Sequence, residues 1–273
     1  MKKLIFLFLL LVNLVSFSQT QVSILSWNIR DFGKTKSEET IQEIANIVKD
    51  YDIVVLQEVV AGYGGTQVVA KLVDELNRKG SKWDYVISNP TQSPPYKTER
   101  YAFLWKPHKV KTEGRGNLIK QLQTIVYREP FSLVFIKNGI QFKILNYHSR
   151  KHDDHPEVEI DAIINYIISN KENLILVGDF NTTEDDEVFN NFYNEGYISV
   201  FKNKKTTLKR KCKNNSYRNY AIDNIYLSVN KNKIKNSKVI DFVLSCENLT
   251  NARKISDHLP IATTIELQNC VDE

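Results

Sequence analysis

The sequence predicts a single α/β domain, and three observations support this. Short apolar runs typical of buried strands alternate along the chain with segments whose apolar residues recur at helical spacing. The 273 residues are 42% hydrophobic and 25% charged, which is ordinary for a globular protein with one substantial core. No internal repeat and no linker rich in Gly, Ser or Pro divides the chain. We therefore expect one domain over residues 19–273.

Residues 1–18 have the layout of a secretory signal peptide. Two lysines precede an apolar run over residues 4–17, and small polar residues follow it. The run is short for a membrane span, and an uncleaved signal anchor is the alternative. We expect the protein to be secreted or periplasmic.

The first half of the chain reads as strand, helix, strand, helix. Residues 22–29 and 52–59 are apolar runs that each end in polar groups. Between them, apolar residues recur at positions 41, 44, 45 and 48, and Ser37 is a suitable helix cap ahead of this pattern. A second helical pattern covers residues 68–76. This alternation is typical of an α/β fold.

The second half begins with strands. We expect strands over residues 101–105, 132–137 and 140–147, the last two joined by Asn138 and Gly139, the dipeptide that most favours a tight hairpin. A helix follows from Pro156, which suits a first helical turn. The apolar run LILVG at residues 174–178 predicts a buried strand, and a short helix ends near Gly196. Strands over residues 222–227, 239–244 and 261–267 complete the prediction.

Cationic residues cluster in one segment, although the whole chain is only mildly basic. The formal net charge of +5 is compatible with a polyanionic partner but does not require one. Residues 201–215, FKNKKTTLKRKCKNN, form an apparently irregular segment with seven cations: Lys202, Lys204, Lys205, Lys209, Arg210, Lys211 and Lys213. This segment is either a solvated loop or a patch that follows phosphates.

The three cysteines are Cys212, Cys246 and Cys270. They allow at most one internal disulfide, and which two residues pair is open. Their spacing lacks the pattern of a zinc site. A single bridge is optional in so long a chain, so we expect the core to supply most of the stability.

Several predicted strands end in groups able to bind a metal or move a proton: Asn28, Glu58, His148, Asp179, Asn181, Asp223 and the adjacent pair Asp257 and His258. Each one alone has an ordinary explanation as a turn or structural residue. Their joint occurrence at strand ends, where α/β sheets collect binding sites, indicates a functional site. Hydrolysis of a phosphate ester by water is the chemistry that needs such a set.

The oxygen ligands in this set favour a hard divalent cation. Asn28, Glu58 and Asp257 suit Mg²⁺ or Mn²⁺, which retains waters and binds a substrate phosphate. A histidine whose ring is held by a carboxylate can relay a proton near neutral pH, and two histidines with spare carboxylates are available for this. The predicted reaction is therefore metal-dependent phosphoester hydrolysis.

Eight motifs in order carry a resemblance to a known family: WNIRDFG, IVVLQEV, YKTERYAFLWKP, YREP, YHS, GDFN, YAIDNIYL and SDHLPI. Over residues 22–267 the chain resembles the endonuclease/exonuclease/phosphatase superfamily, and YKTERYAFLWKP and YREP resemble its deoxyribonuclease I-like branch. The resemblance implies a four-layer α/β/β/α sandwich, in which two mixed sheets pack face to face with helices outside. It also implies an active site at one edge of the sandwich.

The same resemblance implies a role for each site residue. The metal ligands would be Asn28, Glu58 and Asp257, and the catalytic residues would be Glu99, His148, Asp179, Asn181, Asp223 and His258. His258, oriented by Asp223, resembles the general base or transition-state stabiliser. His148, supported by Glu99, resembles the acid that protonates the leaving oxygen. Whether His258 or Asp179 takes the proton of the water stays open.

For the substrate, the resemblance implies contacts of low sequence specificity. Arg30 and Arg128 match positions that contact phosphates, and Tyr96 matches one that packs against a sugar in the minor groove. Val60 stands where the deoxyribonuclease has an arginine, which implies weaker binding to DNA. The loops that hold structural Ca²⁺ in that branch are replaced by KTEGRGNLIKQLQT and the lysine-rich segment, so those ions are not carried over.

We therefore expect a secreted, metal-dependent endonuclease that cleaves DNA and acts as a monomer without a stable protein partner. A related phosphodiesterase acting on lipid or inositol phosphates, such as a sphingomyelinase, is the alternative within the superfamily. A non-catalytic binding protein on the same fold is the alternative outside it. The sequence Asn181-Thr182-Thr183 is a glycosylation motif at an expected functional residue, which favours a bacterial source over a eukaryotic secretory pathway.

Overall fold

The computed structural model describes residues 20–268, so the predicted signal peptide and Cys270 lie outside the described residues. The strands are β1 (Gln21–Phe32), β2 (Ile53–Val60), β3 (Asp84–Ile87), β4 (Glu99–Trp105), β5 (Lys111–Leu118), β6 (Phe131–Lys137), β7 (Ile140–His148), β8 (Leu174–Asp179), β9 (Tyr197–Ser199), β10 (Leu208–Lys213), β11 (Ser216–Arg218), β12 (Asp223–Ser228), β13 (Asn232–Val239) and β14 (Ile261–Leu267). The α-helices are α1 (Glu38–Val48), α2 (Tyr63–Asn77), α3 (Glu157–Asn170), α4 (Asn190–Asn194) and α5 (Leu249–Ile255).

Two six-stranded mixed sheets form the centre of the fold. Their strand orders are β13-β14-β1-β2-β4-β3 and β5-β6-β7-β8-β12-β9, while β10 and β11 form a separate two-stranded sheet. One pair in each large sheet is parallel, β1 with β2 and β7 with β8, and the other neighbours are antiparallel. The predicted α/β class with two mixed sheets is confirmed.

The apolar core lies in three layers between four layers of secondary structure. The inner faces of the two sheets share one cluster, in which the rings of Phe103 on β4 and Phe131 on β6 are 5.4 Å apart. A second cluster lies between the first sheet and the apolar faces of α1 and α2. A third lies between the second sheet and α3. This is the expected four-layer sandwich, stabilised by apolar burial on both faces of each sheet.

Local signals in the sequence placed most elements correctly. Helix α1 begins after Ser37, whose side chain accepts a hydrogen bond from the backbone N–H of Thr40. Asn138 and Gly139 join β6 to β7 with φ angles of 51° and 84°, as the two central residues of this tight hairpin turn require. Pro156 immediately precedes α3.

Two predictions about the later part of the chain were wrong. Of the expected strand over residues 239–244, only Val239 is in a strand, as the last residue of β13, because the Asp241 carboxylate accepts hydrogen bonds from the backbone N–H groups of Val243 and Leu244 and turns the chain there. The strand lies earlier, as β13, and pairs with β14. The lysine-rich segment predicted as irregular contains β10, which pairs with β11 in a hairpin.

Strand register carries the polar strand ends to a common edge. In the second sheet, His148 lies opposite Asp179 across the parallel β7 and β8 pair, and Asp223 lies opposite Asp179 across β8 and β12. In the first sheet, Asn28 lies opposite Gln57 across the parallel β1 and β2 pair. Carboxyl ends of parallel neighbours meet at one edge, so the two sheets present these groups together.

A disulfide joins Cys212 on β10 to Cys246. It connects the β10 and β11 hairpin to the segment that leads into α5. Between residues 20 and 268, none of the helices combines the length and the apolar character that crossing a membrane requires.

Candidate active site

Asp179 is at the centre of the site and ends β8. Its neighbour Gly178 has a φ of 145°, and a Cβ there would lie 1.7 Å from the carbonyl oxygen of Tyr147, so only glycine lets β8 run this close to β7. The Asp179 side chain is buried, and its Oδ1 accepts a hydrogen bond from the backbone N–H of Asn181 at 3.0 Å. Burial raises the pKa of Asp179, and the positive charge of His258 opposes that rise.

Two histidine and carboxylate pairs face Asp179. Nδ1 of His258 is 2.9 Å from Asp223 Oδ2, and Nδ1 of His148 is 3.0 Å from Glu99 Oε2. Nε2 of each ring is 3.6 Å from Oδ2 of Asp179. Because a carboxylate accepts at each Nδ1, that nitrogen carries a hydrogen in both rings, and Nε2 is the atom that exchanges a proton.

Both imidazoles are stabilised in their protonated form. Burial lowers the pKa of His258, but the charges of Asp223 and Asp179 and the hydrogen bond to Asp223 outweigh it and raise that pKa to about 10. The same opposition acts at His148, where burial lowers the pKa and the charge of Glu99 raises it, with a net rise. The site therefore holds protons next to a buried carboxylate.

Asn28 and Glu58 form the other end of the site. Nδ2 of Asn28 donates hydrogen bonds to Glu58 Oε1 at 3.0 Å and to Asp179 Oδ2 at 3.1 Å. Its Oδ1 is buried and has no hydrogen-bond partner among residues 20–268, which leaves an acceptor for a cation to satisfy. Glu58 has a φ of 58°, a conformation that non-glycine residues rarely adopt and that functional sites often retain.

Asp257 lies beside this end and is held by arginines. Its Oδ2 is 3.4 Å from a guanidinium nitrogen of Arg30 and 3.4 Å from one of Arg253. The residue before it, Ser256, donates from Oγ to the carbonyl oxygen of Asn28 at 2.6 Å. These contacts fix the segment that carries Asp257 against β1.

A metal ion has two candidate positions in this site. Ligand atoms of Asp179, Asp223 and His258 lie within 4.8 Å of one another, close enough to share one ion. The His258 ring already bonds to Asp223 through Nδ1 and faces Asp179 through Nε2. In contrast, Oδ1 of Asn28 has no hydrogen-bond partner among the described residues. A hard cation with oxygen ligands therefore fits better at Asn28 and Glu58.

The expected substrate residues differ in exposure. Tyr96 is fully exposed with a φ of 63°, and Arg30 is part exposed beside Asp257. Arg128 is buried, with Nε 3.1 Å from Glu99 Oε2, so it also orients the carboxylate behind His148. A cleft of about 480 Å³ adjoins Tyr96 and Arg128; its lining includes Asp31, Glu58, Val60, Tyr96, Lys97, Glu99, Arg128, His148 and Lys151.

Three supporting residues escaped the sequence analysis. Thr206 is fully buried and donates from Oγ1 to Asp223 Oδ2 at 2.6 Å. Ser256 accepts from the backbone N–H of His258 at 3.0 Å. Nζ of Lys36 donates to the carbonyl oxygen of Ile255 at 2.6 Å, and burial together with the charge of Arg30 lowers its pKa to about 8. Of these three residues, only Ser256 could have been identified from the sequence, because it belongs to the SDHLPI motif.

Comparison with known proteins identifies the family of this chain. Residues 25–258 match the model of the Endonuclease/Exonuclease/phosphatase family. Deoxyribonuclease-1 from Bos taurus is 34% identical over 179 residues, which are 59% of this chain and 60% of that protein. Deoxyribonuclease gamma from Homo sapiens is 31% identical over 193 residues, which are 63% of this chain and 60% of that protein. The chain thus spans about 60% of the length of these curated relatives.

Solved structures resemble the fold over almost the whole chain. An endonuclease/exonuclease/phosphatase family protein from Bacteroides thetaiotaomicron matches 92% of this chain and 100% of its own, with a TM-score of 0.68 at 16% identity. Another protein of that family, from Leptotrichia buccalis, matches 90% of this chain and 99% of its own, with a TM-score of 0.63 at 20% identity. At sequence identities this low, the resemblance is evidence for a shared fold alone. The chain is therefore a member of the Endonuclease/Exonuclease/phosphatase family and a distant homologue of deoxyribonuclease-1 and deoxyribonuclease gamma.

Proposed function

We propose that this protein is a secreted, metal-dependent endonuclease that hydrolyses phosphodiester bonds of DNA with little sequence preference. The observation that carries the proposal is the convergence of two histidine and carboxylate pairs on Asp179, next to the unpartnered Oδ1 of Asn28. Hydrolysis of a phosphodiester needs an acceptor for the proton of water, a donor for the leaving oxygen and positive charge near the phosphoryl oxygens. The two histidine and carboxylate pairs, Asp179 and a cation at Asn28 would together meet these three requirements.

In the proposed reaction, a water oriented by Asp179 and Asn181 attacks phosphorus, and the bond from phosphorus to the leaving oxygen breaks. The proton of the water goes to the pair of Asp179 and His258, whose Oδ2 and Nε2 atoms are 3.6 Å apart. The leaving oxygen takes a proton from Nε2 of His148. The carboxylates bonded to the two Nδ1 atoms hold both rings in the required orientation.

Mg²⁺, or Mn²⁺ in its place, is the proposed cofactor. Asn28 and Glu58 would hold it, with Asp257 as the third ligand, because these are oxygen donors and Oδ1 of Asn28 is buried without a partner. When bound, the ion would polarise a phosphoryl oxygen and neutralise charge that develops during the reaction. The histidines would remain free for proton transfer.

DNA is the proposed substrate because the curated relatives are deoxyribonucleases. Tyr96 is exposed and lines the cleft, and the part-exposed Arg30 precedes Asp31, another lining residue, so both can contact phosphate and sugar without reading bases. The disulfide and the predicted signal peptide support secretion, and the protein is proposed to act as a monomer. Sequencing the N-terminus of protein recovered outside the expressing cells tests the cleavage near residue 18.

Nicking of supercoiled plasmid tests the central proposal. We expect purified protein to relax plasmid with Mg²⁺ or Mn²⁺ and not with chelator. His258→Ala should lower the rate by about 10² to 10⁴-fold, the usual contribution of acid and base catalysis. The matched control is His108→Ala, because His108 is exposed and follows β4 at its end remote from the site.

Plasmid that stays intact with every metal would overturn the nuclease proposal. Hydrolysis of sphingomyelin or inositol phosphates would then identify the alternative chemistry within the same superfamily. No hydrolysis of either class, in protein that is folded, would instead support a binding protein on this fold.

A further inference from the structure

The hairpin of β10 and β11 and the loop before it form a surface that the proposed chemistry does not use. Residues 202–222 contain eight Lys or Arg residues and no Asp or Glu. Six of these cations are exposed: Lys202, Lys204, Lys205, Arg210, Lys211 and Lys213. Within residues 20–268, no carboxylate oxygen lies within 4.0 Å of any of the six, whereas Arg218 pairs with Asp241 at 2.9 Å. We call residues 202–218 the basic hairpin.

The basic hairpin begins at the active site. The backbone N–H of Leu208 donates to the carbonyl oxygen of Asp257 at 2.7 Å, and that of Leu259 donates to the carbonyl oxygen of Thr206 at 2.6 Å. Oγ1 of Thr206 also bonds to Asp223, the carboxylate behind His258. The start of β10 is therefore tied by direct hydrogen bonds to the segment that carries the proposed catalytic groups.

Further contacts hold the basic hairpin against the domain. Leu208 is buried in a small apolar cluster with residues of α5 and its flanking segments. NH1 of Arg253 on α5 donates to the carbonyl oxygen of Leu208 at 2.7 Å. The Cys212 and Cys246 disulfide fixes the far part of β10, and the hydroxyl of Tyr217 on β11 bonds to Asp241. A surface held in this way loses little conformational entropy on binding a partner.

We propose that the basic hairpin binds the phosphate backbone of the DNA substrate to one side of the bond that is cleaved. This inference rests on the proposed nuclease function. Exposed cations with no carboxylate within salt-bridge distance release counterions from a polyanion, which provides affinity without sequence preference. The six residues of β10 extend about 20 Å at the rise of a strand, and DNA has a phosphate about every 3.4 Å along each strand. Strand β10 thus spans about six phosphates.

The test compares two variants of equal charge. Lys204, Lys205, Arg210 and Lys211 are changed to Gln in the first. The control changes four exposed lysines at the opposite end of the sheets to Gln: Lys49, Lys82, Lys109 and Lys111. Binding of a fluorescent duplex of about 24 base pairs is measured by anisotropy in chelator at several salt concentrations, so that no cleavage contributes.

We expect the hairpin variant to bind more than tenfold more weakly at low salt, and its slope of log affinity against log salt to fall by about 2 to 4. Each lost phosphate contact removes about 0.9 from that slope. The control should keep most of the wild-type slope.

An equal loss of affinity for the duplex in both variants would overturn the inference, since net charge alone would then explain the binding. It would also be overturned if DNA binding stayed unchanged while the hairpin variant lost binding to vesicles containing anionic lipid, which would make a membrane surface the partner. Because binding is measured without turnover, these results are distinct from failure of the proposed nuclease function, which plasmid nicking by the wild type reports.

Discussion

His148 and His258 direct their Nε2 atoms to the same oxygen, Oδ2 of Asp179, at 3.6 Å each. Each ring is held from behind by its own carboxylate, Glu99 for His148 and Asp223 for His258. The two imidazoles thus face one carboxylate oxygen. A substrate phosphorus placed near Asp179 would have a proton donor and a proton acceptor within reach. In the proposed mechanism both histidines act beside Asp179, so single substitutions should have large and non-additive effects.

Asp179→Asn should abolish most activity while keeping the fold. Asparagine preserves the volume and can still accept one hydrogen bond, but it removes the charge that faces both imidazoles. We expect the rate of plasmid nicking to fall by about 10³-fold or more. Asp153→Asn, at an exposed position, is the matched control and should nick at the wild-type rate. A folded Asp179→Asn protein with near wild-type activity would remove Asp179 from the mechanism.

Thr206→Val should impair catalysis through Asp223. The substitution keeps the shape of the side chain but removes the hydroxyl that donates to Asp223 at 2.6 Å, so His258 loses part of its orientation. We expect kcat to fall about tenfold with little change in KM, and the free energy of unfolding to fall by about 1 to 3 kcal/mol. Thr206→Ser should restore kcat because it restores the hydroxyl. A stability loss without a change in kcat would make Thr206 a structural residue only.

Glu58→Gln should weaken divalent metal binding independently of turnover. In the wild type, Mg²⁺ should raise the melting temperature, because a ligand at 100 times its dissociation constant stabilises a protein by about 2.7 kcal/mol. The variant should lose most of this shift while its melting temperature without metal stays similar. Glu43→Gln removes an exposed carboxylate on α1 and should keep the full shift. A variant that still responds fully to Mg²⁺ would favour the other candidate position, at Asp179 and Asp223.

Asp241→Asn should make stability less dependent on pH in acid. Burial raises the pKa of Asp241, but hydrogen bonds from Tyr217 and Arg218 outweigh this and hold that pKa below its ordinary value of 3.8. A carboxyl whose pKa is lower in the folded state adds stability above the unfolded pKa and loses it as pH falls through the folded pKa. The variant should therefore be about 1 kcal/mol less stable than wild type at pH 7.

The measurement for Asp241 is denaturant unfolding at about pH 7 and again at the lowest pH at which both proteins fold. The difference in unfolding free energy between wild type and variant should shrink as pH falls below about 4. A constant difference across this range would mean that Asp241 acts through its turn geometry alone, since its bonds to Val243 and Leu244 do not depend on charge to the same degree.

The sequence by itself determined the α/β class, the order of most elements and the set of polar residues at strand ends. It could do so because these are local properties: apolar periodicity specifies helix or strand, and Ser37, Asn138 with Gly139, and Pro156 mark boundaries through their own chemistry. The site residues on the strands were identifiable for the same reason: Asn28 and Glu58 lie near the ends of β1 and β2, His148 and Asp179 end β7 and β8, and Asp223 begins β12.

Only the tertiary structure decided how those residues combine. The approach of Thr206 to Asp223, the pairing of Cys212 with Cys246 and the change of the lysine-rich segment into a hairpin depend on contacts between distant parts of the chain. The spacing of apolar residues over 239–244 allows a strand, whereas the side chain of Asp241 turns the backbone there. Long-range packing selects among conformations that local sequence leaves comparable in free energy, which is why the site geometry emerges only from the fold.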